Sequence, residues 1–321
     1  MDNSDKDERL LDMPSLEVDT ERALSRFANA AHQARLRPAR PATRSRIGGP
    51  AKWLAAAAGV ALVATTLTMT GVADSIFQIF ETKQFAAVTV TPTDLQTLGQ
   101  LSAFGTFTWS NKPDGHKVAS AAAASSETGL PAVSVTVPTS ITAAAEYSVV
   151  PRTTATFAFD GAKARASAAA IGRTAPPMPA GIDGSTLVFA GGPAILVTYG
   201  AADHAAAGGT LFVGVATAPT ASSDGASVAE IQAYLLSQPG VSPALAAQIR
   251  AIGDPASTLP VPIPLGAAAA KNVSVHGTSG LFVGDSTGLG SGVIWQQNGL
   301  VYVVGGTLSE AQTIAVANTL R

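Results

Sequence analysis

The chain of 321 residues contains no cysteine. Disulfides, thiolate zinc sites, thiol nucleophiles and Cys-anchored lipids are therefore excluded. Charge is scarce too: Asp, Glu, Lys and Arg make up 13% of the residues, and aromatics only 6%. Against 46% hydrophobic residues, that balance rules out general disorder. Much of the apolar share is alanine, so the core is built with few large side chains. The length allows one large domain or two small ones, and a domain of that size buries its own core without disulfides.

The net charge of −2 conceals an uneven distribution. Residues 1–52 hold ten Lys or Arg and eight Asp or Glu, whereas the remainder holds ten and fourteen. Trp53 to Ala73, WLAAAAGVALVATTLTMTGVA, then runs 21 residues without a charge. At about 1.5 Å per residue a helix of that length reaches about 30 Å, the thickness of a bilayer's hydrocarbon layer. No 3.6-residue polar face interrupts the run, which argues against a buried helix of a soluble protein. Thr65, Thr66, Thr68 and Thr70 weaken the hydropathy, but a hydroxyl that bonds back to a helix carbonyl escapes most of the desolvation cost. Arg35, Arg37, Arg40, Arg44, Arg46 and Lys52 precede the span with no acid among them, while Asp74, Glu81 and Lys83 follow it. The positive-inside rule puts the N-terminus in the cytoplasm and everything after Ala73 outside. Trp53 at the inner boundary, and Phe77 with Phe80 at the outer one, fit the headgroup region. Gly71 and Ala73 also suit a signal peptidase, but the polar leader of about fifty residues is far longer than an ordinary n-region, so an uncleaved anchor is the expectation.

The sequence thus divides into a cytoplasmic tail (1–52), a transmembrane helix (53–73), a juxtamembrane segment (74–103) and an extracytoplasmic domain (104–321). In the tail, Leu24, Phe27, Ala31 and Ala34 share one helical stripe with Asp19 or Thr20 as the cap. That amphipathic helix either docks a cytoplasmic protein or serves as a membrane-surface helix or spacer. A metal-bound zinc anti-sigma module is excluded, because His32 has no cysteine beside it.

The outer segment reads as α+β and antiparallel. Runs of β-formers occur at FGTFTWS, PAVSVTVP, TTATFAF, TLVFAG, AILVTYG and TLFVGVA, separated by turn residues such as Asn111, Pro113, Asp114 and Gly115. Ala119–Ser126 is an Ala/Ser stretch, either a loop or a weak helix. Ser227 with Glu230 forms a capping box, and Ser242 followed by Pro243 opens a second helix ended by Gly253, together predicting a helical hairpin on a sheet. Thr258–Gly266, with proline at alternate positions, is extended, solvated or edge-lying chain. Asn298-Gly299 is the strongest hairpin signal, and a two-residue loop sets Gln297 opposite Leu300, Trp295 opposite Tyr302 and Val293 opposite Val304. Thr307 and Glu310 are expected to box a closing helix whose Leu308, Ala311, Ile314, Ala315 and Leu320 share one side.

Three segments carry a resemblance. GVIWQQNGLVYVVGGTLSEAQTIAVANTL, PPMPAGIDGSTLVFAGGPAILVTYG and YLLSQPGVSPALAAQIRAIGDP together resemble an uncharacterised extracytoplasmic domain of single-pass bacterial membrane proteins, some of whose relatives carry an anti-sigma-like cytoplasmic segment. The likeness covers roughly residues 151–321. It implies a regulatory or envelope-sensing role and supplies no catalytic residues.

Candidate chemistry is thin. Gly284, Asp285, Ser286, Thr287 and Gly288 match G-x-S-x-G, but a Gly-rich connection into a strand follows, and no histidine lies after Ser286 to act as base. A hairpin loop explains the motif better. Glycines 288, 290 and 292 lack the lysine and helix start of a phosphate cradle. His116, His204 and His276 are scattered, and Asp203 beside His204 points to the opposite face of a strand, so no metal or cofactor is expected. A small acidic excess argues against nucleic acid. The partners implied are the bilayer through residues 53–73, a cytoplasmic protein at the tail and an envelope ligand. The leading expectation is a membrane-anchored regulator or sensor. An anchored lipid or peptide carrier and an anchored serine hydrolase are the alternatives.

Overall fold

The computed structural model describes residues 76–98, 101–200, 209–239, 241–266 and 268–321. The tail, the apolar stretch 53–73, and Asp203 with His204 lie outside the described residues. Among the described residues no helix is long and apolar enough to cross a membrane.

The chain enters through β1 (Phe77–Glu81), β2 (Gln84–Val90) and a short helix α1 (Pro92–Leu98), then a 3₁₀ turn at Leu101–Ala103. Next come β3 (Gly105–Asn111), β4 (His116–Val118) and α2 (Ala121–Thr128). After an irregular stretch follow β5 (Ala145–Val150), β6 (Thr153–Phe159) and α3 (Gly161–Ala170). A second irregular stretch leads to β7 (Thr186–Gly191), β8 (Ala194–Tyr199), β9 (Leu211–Thr217) and β10 (Thr220–Ser223). Helices α4 (Val228–Leu236) and α5 (Pro243–Arg250) precede β11 (Thr258–Pro264), β12 (Ala268–Val275) and β13 (Thr278–Asp285). The hairpin β14 (Ser291–Gln297) and β15 (Leu300–Gly306) with α6 (Glu310–Ala317) closes the chain.

The class is α+β, sheet-rich and antiparallel, with six α-helices among the described residues. An eight-stranded sheet runs β12-β13-β14-β15-β9-β8-β5-β4 and a five-stranded one β1-β10-β7-β6-β3. The pair β2–β11 is parallel. Three strands pass from the larger sheet into the smaller: β5 continues as β6, β8 as β7 reversed, and β9 as β10. Each passage contains a proline: Pro151, Pro193 and Pro219. Proline has no N–H for the ladder, so three of them in register crease the structure into two sheets instead of one. Their carbonyls still serve. Pro193 O accepts from the Thr217 N–H (3.2 Å) and Pro219 O from the Thr82 N–H (2.9 Å).

The larger sheet is buried along one face and, over β13 to β15, on the other. One face presents Val149, Ile195, Val215 and Trp295, which meet Ala124 of α2, Leu130, Ile141, and Val316 and Ala317 of α6. The opposite face presents Leu281, Ile294 and Val301 to Val261 and Ile263 of β11. The smaller sheet packs Phe157, Phe159 and Leu187 against Ala164 of α3, Met178, Ile182, and Ile231 and Tyr234 of α4.

The closing hairpin has the register read from its turn: Gln297 faces Leu300, Trp295 faces Tyr302 and Val293 faces Val304. Asn298 and Gly299 both have positive φ, 53° and 76°, as a type I′ turn requires. Trp295 is 0% exposed and stacks on Tyr302 with ring centroids 5.4 Å apart. Gly280 lies opposite Trp295 on β13, where a Cβ would stand 3.1 Å from that of Trp295.

Several sequence expectations change. The boundary at 103/104 disappears, because β1 and β2 of the supposed juxtamembrane segment are paired into the sheets. Phe80, expected at the headgroups, packs in the smaller sheet's core, while Phe77 stays 69% exposed. PAVSVTVP forms no strand. Its Ser134 exchanges two backbone hydrogen bonds with Arg321 (3.1 and 3.2 Å) and Thr136 N–H donates to Thr319 Oγ1 (2.9 Å), contacts that do not repeat as a ladder. Ala119–Ser126 is helical from Ala121, capped by Ser120 and a left-handed Gly129. The closing box is Ser309 with Gln312, since the Thr307 hydroxyl instead accepts the Thr210 N–H (2.6 Å). Helices α4 and α5 carry the expected caps but enter different cores: α4 packs on the smaller sheet and α5 buries Leu245 against Val88 and Val90.

The proline-alternating β11 is an edge strand. Leu265 N–H donates to Val90 O (2.9 Å), which sets the parity. Leu259, Val261 and Ile263 turn their backbones to β2, while Pro260, Pro262 and Pro264 turn outward, where no N–H is needed. On the other side of β2, the Gln248 amide stands in for a neighbouring strand. Its Oε1 accepts from Thr89 N–H (2.7 Å) and its Nε2 donates to Thr89 O (3.1 Å).

Replacing Trp295 by Ala should destabilise this domain by about 3–5 kcal/mol through the cavity it leaves. A thermal melt of the variant that overlays the wild-type curve would contradict the buried placement.

Candidate functional site

Ser286 lies in the turn between β13 and β14, and residues 286–289 are all exposed. Asp285 organises the turn: its Oδ1 accepts from Thr287 N–H (3.0 Å), Thr287 Oγ1 (2.9 Å) and Leu289 N–H (3.2 Å). Gly288 has φ of 70°, the left-handed value such a turn uses. No helix begins after the serine, so the strand-to-helix elbow that exposes a hydrolase nucleophile is not formed. The glycines at 288, 290 and 292 close the same hairpin and enter β14. The G-x-S-x-G pattern is a β-hairpin loop, as the residues around it suggested.

Both described histidines are engaged elsewhere. His116 Nε2 lies 2.9 Å from Glu127 Oε1, joining β4 to the end of α2. His276, with φ of 49° in the turn between β12 and β13, places Nε2 3.1 Å from Ala317 O, and its N–H donates to Asn318 Oδ1 (2.9 Å). Neither hydrogen-bonds to Ser286. Among the described residues no three His, Asp or Glu side chains gather as metal ligands would.

Two buried polar arrangements escaped sequence reasoning. Ser291, at the end of the glycine run, donates to Leu308 O (2.9 Å) and lies 2.6 Å from Thr313 Oγ1, which ties β14 to α6. Both hydroxyls are buried, and with no base beside them they lock the helix to the sheet. The second is Asp94, 2% exposed at the start of α1. Its Oδ2 accepts from Thr91 N–H (2.9 Å) and Thr91 Oγ1 (2.6 Å), and its own N–H donates to Thr91 Oγ1 (3.1 Å). Thr91-Pro92-Thr93-Asp94 is thus a capping box with proline at the first helical position. That signal is readable in the sequence, within the stretch expected to be juxtamembrane.

Burial alone would raise the Asp94 pKa. The hydrogen bonds of Thr91 and contributions from Ser242, the cap of α5, outweigh it and hold the carboxyl below its ordinary value of 3.8. The carboxylate thus caps the start of α1.

With this geometry in view, comparison with protein-family models, curated proteins and solved structures finds no match to the chain.

A depressed pKa in the folded state favours folding above the unfolded value, and the benefit is lost as pH falls through the folded value. Asp94→Asn should therefore lower the melting temperature at pH 7, and the gap from wild type should narrow as the pH drops below 3.8. Melts of both proteins between pH 7 and pH 3 check this; a gap that stays constant or widens on acidification would show that Asp94 is not ionised in the fold.

Proposed function

We propose that the chain is a single-pass membrane protein of the cytoplasmic membrane, a regulator or sensor whose N-terminal tail meets a cytoplasmic protein and whose α+β domain lies outside. The observation that carries this reading is the junction between the two. Three residues, Asp74 to Ile76, separate the uncharged stretch 53–73 from β1. That strand is woven into the fold at its first turn: β1 pairs with β10 and β2 with β11. Between them, Thr82 N–H donates to Pro219 O (2.9 Å) and Lys83 N–H to Ser257 O (2.8 Å). A tether for an enzyme or carrier needs only length. A separation of three residues, followed at once by strands fastened at the crease where the two sheets meet, suits a device that passes a displacement of the domain to the helix.

The six cations from Arg35 to Lys52 set the orientation, N-terminus inside. The resemblance of residues 151–321 to an uncharacterised extracytoplasmic domain of single-pass bacterial membrane proteins, some of whose relatives carry an anti-sigma-like segment, supports the same reading. No cysteine is present to join His32 in a metal-bound tail module, so the amphipathic stripe of Leu24, Phe27, Ala31 and Ala34 is the partner-binding element.

Two measurements on the full chain test the reading. Protease added to intact spheroplasts should remove a tag at Arg321. Cross-linking in membranes should then recover a cytoplasmic protein with the full chain that is lost when residues 1–34 are deleted, the flanking cations being retained. A tag protected until the bilayer is broken, or identical captured proteins with and without the tail, would defeat the proposal.

A further inference from the structure

β3 is an edge strand of the five-stranded sheet, and its outward groups can be identified. Phe159 of β6 donates its N–H to Ser185 O (2.9 Å) and accepts from Gly184 N–H (3.2 Å), so its backbone serves the β7 side. In an antiparallel ladder that direction repeats every second residue, so Phe157 and Ala155 also face β7. Their opposites on β3 are Gly105 for Phe159, Phe107 for Phe157 and Trp109 for Ala155. These form the non-hydrogen-bonded pairs, so Gly105, Phe107 and Trp109 direct N–H and C=O away from the sheet. Gly105 O is satisfied by Lys163 Nζ of α3 at 2.6 Å. Among the described residues, nothing takes the four backbone groups of Phe107 and Trp109.

The other edges are guarded. β1 carries Glu81, β12 carries Lys271, the three-residue β4 carries Lys117, and β11 turns its prolines outward. Charges, short strands and prolines are the usual means of preventing an edge from recruiting another strand. Gly105–Asn111 has none of them in its seven residues. It also displays two aromatic rings, Phe107 (39% exposed) and Trp109, in edge-to-face contact with centroids 5.0 Å apart.

The strand is also complementary to itself. Thr106-Phe107-Thr108-Trp109-Ser110 reads hydroxyl, aromatic, hydroxyl, aromatic, hydroxyl from either end. A two-fold axis through Thr108 sets Phe107 of one copy against Trp109 of the other, twice. It joins the N–H and C=O of those residues in four hydrogen bonds, the very groups left unpaired. Gly105 and its lysine are undisturbed. The same chain already uses a cross-strand aromatic pair of this kind at Trp295 and Tyr302. Ser110, the bulged residue where the register with β6 shifts, ends the free edge.

We propose that β3 is a self-association edge, at which two copies of this chain pair antiparallel about Thr108 and join their five-stranded sheets into one of ten strands. This does not rest on the membrane reading. A single strand pair buries little area, so the dimer is weak in solution and cross-linking is the appropriate readout.

The absence of native cysteine makes the test clean. Thr108 is exposed, so Thr108→Cys leaves packing untouched. Facing non-hydrogen-bonded residues have Cα atoms about 4.5 Å apart, within reach of a disulfide. Thr106, on the same face, would lie about 14 Å from its counterpart, four residues along at ~3.4 Å each. With the full chain under mild copper–phenanthroline oxidation, Thr108→Cys should form a disulfide-linked dimer at least tenfold faster than Thr106→Cys. Adding Phe107→Lys to Thr108→Cys should bring its rate down to that of Thr106→Cys. Equal rates for the two single variants would overturn the proposal. So would a Thr108→Cys chain that stays monomeric, or that couples to a different polypeptide, which would assign the edge to a heterologous strand.

Discussion

A buried sheet commits its backbone N–H and C=O groups to partners, and the last strand on either side has none from the sheet itself. With three sheets among the described residues and no cysteine for disulfides, this chain must resolve that constraint at each edge. It does so with different devices. Prolines 260, 262 and 264 remove outward N–H groups from β11 while Val261 and Ile263 fill the core between sheets. The Gln248 amide completes β2 as though it were a further strand. Lys163 closes the one outward carbonyl of Gly105, and Lys271, held by Glu310 at 2.8 Å, charges the rim of β12. Only along Phe107 and Trp109 does the pattern lapse among the described edges, and there the sequence offers aromatic rings in place of charge.

The same missing donor shapes the interior. Pro151, Pro193 and Pro219 stand where three adjacent strands leave one sheet for the other, and the crease lets each sheet build a separate hydrophobic core. Splitting the core suits an alanine-rich composition. Large side chains are few, so they are concentrated: Trp295 with Tyr302 in one core, Phe157 with Phe159 at 4.8 Å in the other. Alanines such as Ala124, Ala164 and Ala317 allow the covering helices to approach closely. The entry strand β1 then joins at the crease, where the Thr82 N–H that follows it donates to Pro219 O.

Local chemistry was the legible part of the sequence. Asn298-Gly299 dictated both the turn and every pair of the closing hairpin, because two residues of positive φ leave one register. The caps at Ser227 and Ser242 were equally plain, since a hydroxyl three residues before a free N–H has one obvious use. What failed depended on distant partners. PAVSVTVP has the composition of a strand, but its Ser134 and Thr136 bond to Arg321 and Thr319 without forming a ladder, and Thr307 is a good cap that Thr210 claims first. α4 and α5 read as one hairpin because no local signal says that each faces a different sheet. At the candidate site, the sequence identified the G-x-S-x-G turn for what it is, from the strand that follows. The box of Asp94 lies in a stretch expected to be juxtamembrane, which hides its cap, and the exposed edge of β3 is visible only once the strand order is known.

The account stands on the distinction between closed edges and the open one, and hydrogen exchange reads that distinction amide by amide. On the full chain, the Thr89 amide, held by Gln248, should exchange slowly at every protein concentration. The amides of Phe107 and Trp109 should exchange fast when dilute and become protected as concentration rises. Fast exchange at both positions regardless of concentration would contradict the account, and so would protection already complete in dilute protein.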